Sequence, residues 1–145
     1  MNCPYDVPVR WRRPQIGNNA TGAHSILYGM SADHLISADV ILGDGALETW
    51  NANIRSKLSP IVQTIQENYA EAIKHNSPKT WRNSSGYRSN YLLPWSASTP
   101  PHWEYPTYPD LRAGHINLAH LLAGSEGTLG IITEALLKLT AKPKY

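Results

Sequence analysis

Leu121-Leu122-Ala123-Gly124-Ser125-Glu126-Gly127-Thr128-Leu129-Gly130-Ile131-Ile132-Thr133-Glu134-Ala135-Leu136-Leu137-Lys138-Leu139 is the stretch on which the reading of this chain turns. Gly124, Gly127 and Gly130 fall at every third position, and Ser125, Glu126 and Thr128 are the polar side chains between them. Glycine at such spacing lets a backbone turn sharply and come close to a ligand with its peptide N–H groups outward. The same spacing also serves an ordinary connection before a buried strand. The order is not G-x-G-x-x-G, so neither the dinucleotide fingerprint nor the Walker loop applies. After the glycines, Ile131, Ala135, Leu137 and Leu139 share the odd positions while Glu134, Lys138 and Thr140 share the even ones, which predicts a strand. Helix propensity of the same residues argues the other way.

Working backward, Ile116 to Leu122 is short and apolar, a helical turn or two before the glycines. Residues 94–114 hold Pro94, Pro100, Pro101, Pro106 and Pro109 among Trp95, Trp103, Tyr105 and Tyr108, a composition that suits an extended surface loop and no sheet or helix interior. Trp81 to Arg88 is polar and turn-rich; Arg82 and Arg88 are candidate grips for a substrate carboxylate, because the guanidinium fork matches two oxygens. Ser59-Pro60 starts a helix with Ser59 as N-cap, and Ile61, Val62, Ile65, Tyr69, Ala72 and Ile73 follow at helical spacing to Asn76-Ser77-Pro78. From Leu35 to Leu42 the even positions Ile36, Ala38, Val40 and Leu42 are apolar, the mark of a half-buried strand, and Gly43-Asp44-Gly45 turns it into a hairpin with Ala46 to Trp50. Gly17 to Ser25 forms a second loop of small and polar residues. Residues 1–15, broken by Pro4, Pro8 and Pro14, read as an irregular arm; its Arg10-Trp11-Arg12-Arg13 patch is too small a basic footprint for nucleic acid.

Composition narrows the function classes. The chain has 145 residues, 41% of them hydrophobic, a net charge of +2 and one cysteine, with a mean hydropathy of −0.38. One domain follows, with no disulfide framework, so a reducing, cytoplasmic setting is expected. Nowhere does an apolar run reach the roughly 20 residues of a membrane span. Neither a signal peptide nor an anchor is expected at the N-terminus. The six histidines show no metal-ligand spacing, and no metal site is expected. Cys3 has no partners for nucleophilic catalysis.

Gly124-Ser125-Glu126-Gly127-Thr128-Leu129-Gly130-Ile131-Ile132-Thr133-Glu134-Ala135 closely resembles the signature that closes the flavin-binding domain of FAD-linked oxidases of the vanillyl-alcohol oxidase superfamily, the PCMH type. Within it, the D-lactate, glycolate and D-2-hydroxyglutarate dehydrogenases are the most similar group. Asn18 to Ser25, followed by Tyr28-Gly29 and by Asp33 before a strand, resembles a second segment of that family in the same order, and Asn83 to Tyr87 resembles a third. The resemblance implies an α+β fold, an antiparallel or mixed sheet flanked by helices, equivalent to the second subdomain of the flavin-binding domain and spanning residues 16–145. It implies FAD as cofactor, held by Asn18, Asn19, Ala20, Thr21, Gly22, Ser25, Tyr28, Gly29, Gly124, Glu126, Gly127, Thr128, Gly130, Ile131 and Ile132. Thr21 stands where relatives carry a smaller residue. The family's first subdomain would precede Gly17 and its substrate cap would follow Tyr145, so a complementing segment or chain and an oligomer are expected, and no catalytic base is assigned. The alternative is a non-catalytic relative serving as an interaction module without FAD.

Overall fold

The computed structural model describes residues 14–53, 56–80, 82–93 and 116–139. The basic patch at 10–13, most of the N-terminal arm and the proline- and aromatic-rich stretch 94–114 lie outside the described residues. Residues 14–17 are helical.

Three strands form an antiparallel sheet, β1 (Leu35–Ile41), β2 (Leu47–Trp50) and β3 (Ile131–Leu137), in the order β2-β1-β3. The expected hairpin is present. Ala38 pairs with Trp50 and Ile41 with Leu47, and the turn closes through Leu42 N–H to Ala46 O at 2.9 Å, with Gly45 at φ 80°. Glycine is required there because an L side chain rarely adopts that angle.

On its other side β1 pairs with β3, from Leu35 opposite Leu137 to Ile41 opposite Ile131. This ladder carries two irregularities, one between Leu35 and Ser37 and one between Asp39 and Val40. Ile36 is the extra residue of β1 at the first and Thr133 that of β3 at the second. Each bulge shifts the alternation by one residue. Ile36, expected to face inward, is therefore 45% exposed while Leu35 is buried. In β3, Ile131 is 65% exposed and Ile132 takes the inward place beside Val40. Thr133 Oγ1 donates to Asp39 O at 3.1 Å, which pins the second bulge.

The core lies on one face of the sheet. Leu35, Ala38, Val40, Trp50 and Ile132 pack against Ile16, Val62, Leu92, Leu118, Ala119 and Leu122. Two turns of 3₁₀ helix, Ser89–Leu92 and Leu118–Leu122, supply most of the covering layer. The second is the helical turn expected before the glycines. Single helical turns α1 (Ser25–Tyr28) and α2 (Ser31–His34) lead into β1.

The helix expected from Ser59 is two segments, α3 (Ser59–Asn68) and α4 (Ala70–Asn76), parted at Tyr69, whose φ of −120° leaves the helical range. Leu58 holds the N-cap position; Ser59 sits inside the helix, where its hydroxyl donates to Ser56 O at 2.7 Å. Val62 is buried, whereas Ile61 and Tyr69 are 55% and 56% exposed, so the helix presents a narrower apolar stripe than its sequence suggests.

Candidate functional site

Three loops meet at one end of the core. The backbone of the 17–22 loop leaves the turn at 14–17 through Asn19, at φ 46°, an angle asparagine tolerates better than most side-chain-bearing residues. Asn19 is fully buried, and its amide ties two other elements to the loop: Oδ1 accepts Ala32 N–H at 2.9 Å and Nδ2 donates to Asn83 O at 3.1 Å. Ser31 Oγ donates to Ala20 O at 2.7 Å.

The glycine segment joins that loop by main-chain bonds. Glu126 N–H reaches Gly17 O at 2.9 Å and Gly124 N–H reaches Ile16 O at 3.4 Å. The third loop, residues 82–88, bridges both: Arg82 Nη2 donates to Thr21 Oγ1 at 3.1 Å, and Tyr87 OH meets Thr128 Oγ1 at 2.7 Å. Thr128 Oγ1 in turn donates to Ser125 O at 2.6 Å. Asn19, Thr21, Gly22, Gly124, Glu126, Gly127 and Thr128 thus share one region with Arg82 and Tyr87.

Not all the glycines serve one purpose. A methyl group on Gly124, at φ 83°, would run into the Gly86 carbonyl, and one on Gly130 would stand 2.6 Å from Ile41 O and 2.7 Å from Val40 Cγ2. Those two are fixed by packing. Gly127, also at positive φ, and Gly22 meet nothing within 4 Å, and both are exposed. Open space beside a glycine is what close approach of a ligand requires.

Other expected site residues are placed elsewhere. Ile132 is in the core, Ile131 lies on the outward face of the sheet beside Ile41, and Ser25 is buried. Asn18 and Ala20 are exposed; Tyr28 and Gly29 are half-buried. Arg88, a candidate carboxylate grip, is 3% exposed. Its Nη2 donates to Met30 Sδ at 2.8 Å and its guanidinium lies 5.3 Å from the centre of the Tyr91 ring.

Behind the three loops runs a buried polar cluster that sequence reasoning missed. Asp33 accepts Met30 N–H at 2.7 Å on Oδ2 and Tyr91 OH at 2.5 Å on Oδ1. Gly29 is required for this, since a side chain there would come 2.7 Å from Asp33 Oδ2. Tyr91 meets the His120 ring edge-on at 5.2 Å, and His120 Nε2 faces Leu35 O at 3.2 Å. Burial pushes the pKa of His120 below the ordinary imidazole value, against the pull of Asp33. Burial likewise lowers that of Arg88, with Tyr91 and Asp33 opposing. The Gly29-to-Asp33 spacing was the available signal; the partners Tyr91 and His120 lie too far along the chain for spacing to reveal. Among the described residues no three His, Cys, Asp or Glu side chains gather closely enough to hold a metal ion, and no helix is long and apolar enough to cross a membrane.

No family model matches the sequence. Curated relatives do: the D-2-hydroxyglutarate dehydrogenase of Pseudomonas putida is 30% identical over 143 aligned positions. Those of Escherichia coli and Pantoea ananatis are 27% and 28% identical. The alignments cover 89–90% of this chain and 12% of each relative. The similarity therefore spans nearly all of this chain, and the chain spans about an eighth of the length of the dehydrogenases it resembles.

Proposed function

We propose that this chain forms one wall of the flavin site of an FAD-dependent oxidoreductase acting on a 2-hydroxy acid, with 2-hydroxyglutarate, named in the relatives, the first substrate to test. The fold would be equivalent to the second subdomain of a PCMH-type flavin-binding domain. The observation that carries this reading is the junction of the 17–22 and 124–128 loops through Glu126 N–H and Gly17 O. Two small-residue loops distant in sequence share one surface, with Gly22 and Gly127 open toward solvent. A flavin needs peptide N–H groups and side-chain amides for its polar parts and an unobstructed backbone for its flat ring. Exposed Asn18, Gly22, Gly127 and Thr128 suit that chemistry. When bound, the flavin would accept the hydride of the hydroxy acid. The protein's part here is to hold and orient. A complementing segment or chain would supply the remaining wall and the substrate cap; a cytoplasmic setting and an oligomer complete the proposal.

The test is flavin uptake. FAD fluorescence should be quenched by the purified chain alone or together with the remaining segments of a relative supplied in trans. Gly22→Val should abolish that quenching with little change in the melting temperature, because the position is exposed and a Cβ there meets nothing within 4 Å. A colourless chain that ignores FAD in both formats would overturn the reading and favour the non-catalytic module.

A further inference from the structure

β3 is an edge strand: β1 lies along one side of it, and among the described residues no strand lies along the other. In an antiparallel ladder each residue turns its N–H and C=O to the same side, and successive residues alternate. Lys138 N–H donates to His34 O at 2.8 Å, which carries the ladder with β1 past Leu137. Leu136 and Glu134 pair with Ser37 and Asp39 and turn the same way. Ala135 and Leu137, at the alternate positions, therefore direct their N–H and C=O groups away from β1, along the outer edge.

The side chains of Glu134, Leu136 and Lys138 lie on the face of the sheet opposite the core, and all three are exposed, Leu136 by 57%. Glu134 stands opposite Asp39, so two carboxylates adjoin there. The ion pairs among the described residues are Lys57–Asp44 and Lys74–Glu71, and neither Glu134 nor Lys138 takes part in one. Within one chain these two cannot meet, because four residues of strand separate them by roughly 13 Å, at about 3.3 Å each.

We infer that two copies of this chain join edge to edge, β3 running antiparallel to the partner's β3 about a two-fold axis at Leu136. This register sets Glu134 opposite the partner's Lys138 and Lys138 opposite the partner's Glu134. It also brings the two Leu136 side chains together and lets Ala135 exchange hydrogen bonds with the partner's Leu137 through the groups that point outward. A pairing centred on Glu134 would oppose two carboxylates, and one centred on Ala135 would set Glu134 against leucine. Charge therefore selects the register. A lone lysine on an edge ordinarily keeps other strands away; the glutamate four residues before it makes this edge complementary to itself. The product is one continuous sheet with three strands from each copy. It gives the proposed oligomer its surface and does not depend on the flavin reading.

The experiment is sedimentation of the whole chain, free of FAD, over a concentration series, and a reversible dimer is expected. Glu134→Lys and Lys138→Glu, both at exposed positions, should each weaken it roughly tenfold or more, since each opposes like charges twice across the axis. An equimolar mixture of the two variants should recover the original affinity, because every charge then faces its opposite; a residue needed only for folding would not be rescued this way. Independently, Leu136→Cys in a Cys3→Ser background should form a disulfide-linked dimer in a glutathione redox buffer, as facing residues at such a position have Cα atoms about 4.5 Å apart. Ile131→Cys, on the same face but far from the axis, should not. The inference is overturned by a monomer at every concentration, which would make the charges a guard on the edge. It is equally overturned by a mixture no tighter than its components, or by Ile131→Cys linking as readily as Leu136→Cys. Should a charge variant fail to fold, the two cysteine variants decide.

Discussion

At the scale of single residues, Gly124, Gly127 and Gly130 look alike in the sequence and are separated by their surroundings. Gly124→Ala combines positive φ with a collision against the Gly86 carbonyl, and should cost about 2–4 kcal/mol by the sum of backbone strain and overpacking. Gly127→Ala carries the strain alone, about 1–2 kcal/mol. Chemical denaturation of both variants checks the difference, and equal losses would mean that the crowding at Gly124 is relieved by a shift of the 82–88 loop. Spacing made all three candidates for ligand approach because a sequence shows where glycines are and not what stands beside them. Asn19 is the opposite case: its position in a polar loop suggested a side chain offered to a ligand, while the fold spends both ends of its amide on Ala32 and Asn83.

Among the elements, the strands were legible and their faces were not. Alternation from 35 to 42 and from 131 to 139 located β1 and β3, and the Gly-Asp-Gly turn located the hairpin. Alternation cannot announce a bulge, and two bulges invert the facing of Ile36 and Ile131. The inversion is measurable. Leu35→Ala should cost about 2–5 kcal/mol, the usual loss for a buried leucine, whereas Ile36→Ser should stay within about 0.5 kcal/mol, as surface changes do. The reverse order in urea melts would restore the simple pattern. The helix from Ser59 was located correctly at its start and end, but its periodicity did not show the break at Tyr69. The residues between Arg82 and Arg88 were a candidate site wall only through their family likeness, and the inward turn of Arg88 depends on Met30 and Tyr91, which no local pattern connects to it.

For the molecule as a whole, the buried cluster that links Asp33, Tyr91, Arg88 and His120 makes stability depend on pH. His120 is 6% exposed, and its pKa is lowered chiefly by burial. Above the ordinary imidazole value both folded and unfolded chains hold it neutral, so its contribution is fully present. As pH falls below about 6.5, the unfolded chain takes up a proton that the folded chain refuses, and stability drops by up to about 1.4 kcal/mol per pH unit until the depressed folded value is reached. Denaturant melts from pH 8 to pH 5 should show this slope, and His120→Asn should flatten it; an unchanged slope in the variant would assign the effect to other groups. Layering has its own signature. With the core on one face of the sheet, Leu47, Ile131 and Leu136 remain more than half exposed on strands whose other face is packed.

The pairing of β1 with β3 also governs how the chain can be made. Residues 35–41 leave the ribosome long before residues 131–137, and until those follow, one edge of β1 has no strand to bond. An unpaired apolar edge invites other nascent chains, and pairing across so long a loop closes slowly. Synthesis of this protein therefore contains an interval, set by the translation of nearly a hundred residues, during which no native strand shields that edge of the sheet from the wrong neighbour.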